Sequence, residues 1–120
     1  MENNQTSLIK RQKEICDKYG FEFEPSALNF KVGISVNVKD NEQPIHALRH
    51  PGKDDTTGWY IWAGEYSEQD DFFQPLHTVH LLNWCPLILP YLGLPAGCRV
   101  LIAENGNYVD VWEDSTLLNV

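Results

Sequence analysis

Four histidines form two close pairs, His46/His50 and His77/His80, and these are the first residues whose spacing suggests chemistry. Imidazoles three or four positions apart meet on one face of a helix, where they can share a metal ion. His46 and His50 fall in a predicted strand, which carries residues at that spacing far apart. His77 and His80 fall in a predicted helix and can share a face, with Cys85 or Asp71 as a third ligand. Neither HExxH nor CxxC accompanies them, so ordinary polar or half-buried side chains are the better reading, and no metal or cofactor is expected. A small metal-dependent or acid/base enzyme using His77, His80 and a nearby carboxylate is the alternative function.

Carboxylates gather in two places: Glu65, Glu68, Asp70 and Asp71, then Asp110, Glu113 and Asp114. Paired acids do general acid–base work only where a pocket fixes them, and nothing in the sequence fixes one here. The EYSEQDD stretch also lacks the alternating oxygen ligands and glycine turn of an EF-hand loop. Nucleophile and phosphate motifs are absent, with no GxSxG, GxGxxG or P-loop. Cys16, Cys85 and Cys98 are odd in number and unpaired by spacing, so they read as small buried hydrophobes. The expectation is a protein without a catalytic residue.

Aromatic side chains remain. Trp59, Tyr60, Trp62, Phe72, Phe73, Trp84, Tyr91, Tyr108 and Trp112 crowd the C-terminal two-thirds. Several must fill the core of so small a domain. Those left exposed beside the acids would have the composition of a protein-binding hot spot. The candidate contact set is Trp59, Tyr60, Trp62, Glu65, Glu68, Asp70, Asp71, Phe72, Asp110, Glu113 and Asp114.

Charge points the same way. With 17 acidic residues against 9 basic, the net charge of −8 repels phosphate backbones and anionic membranes. It suits a basic protein partner, steered in by the opposite field. No run approaches the ~18 apolar residues of a membrane span. The first residues, MENNQTSLIK, lack the basic and apolar regions of a secretory signal. A cytoplasmic protein is expected, with neither nucleic acid nor membrane as partner and an oligomeric state left open.

The 120 residues suit one domain, without repeats or linkers. A helix is predicted over about 6–19, with Leu8, Ile9, Ile15, Cys16 and Tyr19 near one stripe, Thr6 or Ser7 as cap and Gly20 as terminator. Beyond Pro25 the period becomes two. Phe30, Val32, Ile34, Val36 and Val38 alternate with polar residues, predicting a nine-residue strand. Asp40-Asn41-Glu42 would turn it into an antiparallel hairpin with Ile45–Arg49. Trp59–Ala63 is a third strand with bulky groups on both faces. Pro75 can open a helix whose inner face is Leu76, Val79, Leu82 and Leu87, and Pro86 and Pro90 break it into a short irregular second part. Cys98–Ala103 and Tyr108–Trp112 flank Asn105-Gly106 as a closing hairpin. The fold class is α+β: an N-terminal helix, a mainly antiparallel sheet of about five strands, and a helical excursion before the last hairpin.

Across these elements runs a succession of short motifs. They are Gly58-Trp59, Ala63-Gly64-Glu65, Asp70-Asp71, the segment from Cys85-Pro86 through Pro90-Tyr91-Leu92, Pro95-Ala96-Gly97 and Trp112-Glu113. In order and spacing it resembles immunity protein family thirty-three over roughly residues 30–114, leaving the N-terminal helix out. Cys85 stands where that pattern has an acidic residue before the proline. The resemblance implies a non-catalytic α+β module, encoded beside a bacterial polymorphic toxin, that binds and blocks the toxin's active domain. A basic toxin such as a nuclease would suit the charge.

Overall fold

Leu8, Ile15 and Cys16 turn one stripe of the first helix onto the core, as their spacing predicts. The computed structural model describes residues 4–119, and in it this helix, α1, spans Asn4–Tyr19. Thr6 and Ser7 therefore lie inside the first turns and not at the cap. Gly20 closes the helix at φ +78°, letting the Phe21 N–H donate to the Cys16 carbonyl at 2.9 Å. A left-handed residue there comes at little cost only for glycine.

Among the described residues one sheet of six strands follows: β1 (Lys31–Ile34), β2 (Ile45–Arg49), β3 (Thr56–Ala63), β4 (Gln74–His77), β5 (Cys98–Ala103) and β6 (Tyr108–Glu113). Their order is β4-β1-β3-β2-β5-β6, and only β1 and β3 run parallel. The chain is thus α+β with a mostly antiparallel sheet. It has one strand more than expected, and that strand is β4.

Several local expectations fail for identifiable reasons. The alternating run through Val38 does not stay extended, because β1 stops at Ile34 and Val36–Val38 winds into a 3-10 turn. Ser35 Oγ bonds the Asn37 side chain, and Asn37 Nδ2 donates to the Ala63 carbonyl at 2.7 Å. Side-chain bonds to backbone here replace ladder bonds. β3 then inserts between β1 and β2, so the expected hairpin does not form. Pro75, expected to open a helix, sits in β4 opposite Gly33. An edge strand tolerates its missing N–H. The helix after it, α2, covers only Leu81–Trp84. Val79, Leu82 and Leu87 are exposed, and the inner face is Leu81, Ile88, Leu89 and Leu92 instead. Pro86 and Pro90 do divide the excursion, which continues as 3-10 turns through Tyr91. The last hairpin forms as predicted, with Asn105 at φ 55° and Gly106 at φ +97° in its turn.

The core lies between one sheet face and the layer of α1 with Pro86–Tyr91. Into it, on the same face of β2 as Ile45 and Ala47, points Arg49, 2% exposed. Its Nε donates to the Thr57 carbonyl at 2.9 Å, Nη1 to those of Glu24 and Leu94 at 2.8 Å, and Nη2 to that of Pro25 at 3.1 Å. The Glu24 carboxylate stands 3.3 Å from Nη2. One side chain thereby ties together the loop after α1, the end of the proline segment and the start of β3.

Candidate protein-binding face

Period-two geometry sorts β3 into two sets. Trp59, Ile61 and Ala63 enter the core, while Tyr60 and Trp62 take the opposite face. Strand register carries that second face across the sheet. Tyr60 lies opposite Leu48, Leu48 opposite Arg99 and Arg99 opposite Trp112; one step along, the row is Trp62, His46, Leu101 and Asp110. Tyr108 follows, opposite Ala103.

The two ends of this face differ. At β3 the segment after Gly64 folds back and lays rings over the strand. Phe73 packs 5.2 Å from Tyr60 and 6.0 Å from Trp62, Tyr66 packs 5.6 Å from Trp62, and Phe72 closes on Phe73 at 4.9 Å. His46 stacks flat on Trp62 at 5.0 Å, and burial followed by the Arg99 charge lowers its pKa. At β5 and β6 the face is open: Tyr108 is 48% and Trp112 40% exposed, with Asp110 in water between them.

Set against this geometry, the candidate residues divide. Trp59 cannot reach a partner: it is 1% exposed, and its indole N–H donates to Ser26 Oγ and the Leu92 carbonyl, both at 3.1 Å. Its alternation parity puts it with Ile61 in the core, a correction to its place in the contact set. Trp62 is covered by its neighbours, and half-buried Phe72 anchors the segment above it. Tyr60 keeps 38% of its surface. Glu65, Glu68, Asp70 and Asp71 are exposed on that segment, and Asp110 on β6; Glu113 is exposed too, but it lies opposite buried Cys98 and shares the core-side parity of Val109 and Val111. Asp114 is engaged within the fold, taking the Arg99 Nε at 2.7 Å and the Thr116 N–H at 3.1 Å. The Thr116 and Arg99 bonds hold its carboxyl below the usual range. The acids therefore occupy opposite ends of the face, with β3 and β6 three strand spacings or about 14 Å apart.

The contact set left out Tyr108 and Trp112, the open rings of β6, and Tyr66, 58% exposed on the segment over β3. For the β6 rings the signal was present: Tyr108, Asp110 and Trp112 alternate with Val109 and Val111, which pack on the core. The imidazole pair of the enzyme reading is less well served. His77 and His80 are exposed, with ring centroids 6.3 Å apart, and Cys85 is buried. Among the described residues no group of three or more His, Cys, Asp or Glu is arranged to hold a metal ion. Among them, too, no helix is long and apolar enough to cross a membrane.

A family model described as an Imm33-like domain matches residues 11–114. No curated protein and no solved structure matches the chain. The match takes in most of α1, which the motif succession omitted, and the packing gives a reason. Gln12 Nε2 donates to the Leu89 carbonyl at 3.0 Å and Cys16 Sγ to that of Gly93 at 3.2 Å, so the helix and the proline segment are one unit. The Gly58-Trp59 step is equally constrained, because a Cβ on Gly58 would stand 1.9 Å from the His50 carbonyl oxygen. Matched over all but its ends, the chain belongs to the Imm33-like family.

Proposed function

We propose that this chain is an immunity protein that binds and neutralises a cognate bacterial toxin without catalysis. The docking surface is the open sheet face of β2, β5 and β6 together with the acidic segment 65–71. Imm33-like membership suggests an immunity protein and implies both a toxin partner and a non-catalytic role. One observation carries the choice of surface: Tyr108 and Trp112 keep 48% and 40% of their area in water around Asp110. Covering apolar area contributes about 25 cal/mol per Å². Rings of this kind dominate the energy of protein interfaces. Carboxylates at both ends of the face, within a net charge of −8, steer a basic partner into register. A nuclease domain, which must itself grip a polyanion, has that charge.

Co-expression with the product of the neighbouring gene tests the reading. The expected result is a stable complex that survives purification, and restored growth of cells making the toxin. A neighbouring gene without a toxin-like domain, together with failure to recover any partner, would remove its support.

A further inference from the structure

We infer that the partner joins by adding a β-strand to the free edge of β6, presenting apolar side chains alternately with lysine or arginine. This rests on the toxin-binding reading above. Among the described residues β6 ends the sheet, with one side of it unpaired. The Asp114 N–H donates to the Gly97 carbonyl at 2.7 Å, which directs the polar backbone of 114, and by alternation of 112, 110 and 108, toward β5. The N–H and C=O groups of Val109, Val111 and Glu113 therefore point outward.

Edges usually carry a lysine, a proline or a bulge that discourages pairing. β4, the opposite edge, has Pro75 and only four residues. β6 has six residues with neither proline nor lysine. Its deterrent is acidic: Asp110 and Glu113, with Glu104 in the adjoining turn, make no ion pair among the described residues. Such an edge repels a second copy of a chain with net charge −8 and admits a cationic strand. Beside the edge, on the core side, lies a groove of about 280 Å³ walled by Leu87, Pro90, Tyr91, Ile102 and Val109, with Arg11 among its walls. An added strand would send every second side chain toward that groove and the others alongside Tyr108, Asp110 and Trp112. Apolar residues fit the first set, with a basic one beside Glu113 at its end, and basic residues fit the second.

Hydrogen exchange on the chain, alone and in complex with the neighbouring gene's product, tests this directly. Strand addition predicts fast exchange at the Val109, Val111 and Glu113 amides in the free chain and at least about tenfold slowing in the complex. Val111→Pro removes an outward N–H without touching a β5–β6 bond. It should weaken binding by at least about tenfold. Asp110→Lys with Glu113→Lys should do the same with the sheet intact. If Val111→Pro does not fold, the exchange pattern of the native chain decides. A complex in which those three amides stay fast overturns strand addition while leaving the immunity reading standing. Protection of the same amides in the isolated chain, rising with concentration, overturns it in favour of a second copy. Absence of any complex with the native chain removes the immunity reading and this inference with it.

Discussion

Arg49 spends its guanidinium on four backbone carbonyls within 3.1 Å, a fifth, that of Leu92, at 3.4 Å, and one carboxylate in the middle of an apolar core. Burial lowers its pKa and Glu24 opposes that shift, so charge and hydrogen bonding are bound together at one site. Arg49→Met would leave the four nearer carbonyls without these donors. The expected loss is about 3–5 kcal/mol of unfolding free energy in urea titration. Arg49→Lys, with a compact head and three donors, should recover only part of it. Thiol chemistry gives a second expectation. Cys16, Cys85 and Cys98 are buried, and burial pushes the Cys98 thiol up to about 12. All three should resist a disulfide reagent in the native protein and react on unfolding. His46 supplies the pH dependence. Its folded-state pKa lies below the ordinary 6.5, so the unfolded chain binds more protons between the two values. Stability from the neutral ring is whole above that ordinary value and is lost as pH falls toward the folded-state value. A proton NMR titration of His46 should give a midpoint below the ordinary one, and His46→Phe should flatten this part of the stability profile.

Helix α1 meets the proline segment so closely that a Cβ on Gly93 would stand 2.7 Å from the Phe23 ring and 3.0 Å from Gln12 Cβ. Gly93→Ala should therefore force the two apart and lower stability by about 1–3 kcal/mol, measurable as a shift in the melting transition. That contact also explains what was legible in the chain. The helix, β2, the third strand and the last hairpin each follow from short-range signals: a 3.6 period, a 2 period, an Asn-Gly turn. Pro86 and Pro90 announce the break in the excursion for an equally local reason. What escaped notice depends on distant partners. The Phe30–Val38 alternation reads as one strand, yet Asn37 is claimed by the Ala63 carbonyl, 26 positions away. β3 displaces the hairpin partner because strand order is decided by which faces bury together, which no local pattern records. At the binding face, the period of β6 exposes Tyr108, Asp110 and Trp112 even in the sequence. Trp59 could be assigned to the core or the surface only once the parity of β3 was known. Arg49 shares the core parity of Ile45 and Ala47, but a lone arginine in a strand reads as surface.

Taken whole, the chain offers a partner one open sheet face between two acidic ends, carried on a body of net charge −8. Long-range attraction of a basic toxin should then dominate encounter. Raising salt from about 0.1 M to about 1 M cuts the screening length from about 10 Å to about 3 Å. The association rate of the complex should fall at least about tenfold over that range with little change in dissociation. The most direct measurement is the dissociation constant of the chain with the neighbouring gene's toxin domain, for the native protein and for Asp110→Lys/Trp112→Ala. Neither side chain lies in the core, so the variant should still fold, which its melting transition checks. A toxin held on the open face predicts at least about 100-fold weaker binding in the variant, or about 2.7 kcal/mol. Native affinity in a correctly folded variant would contradict it.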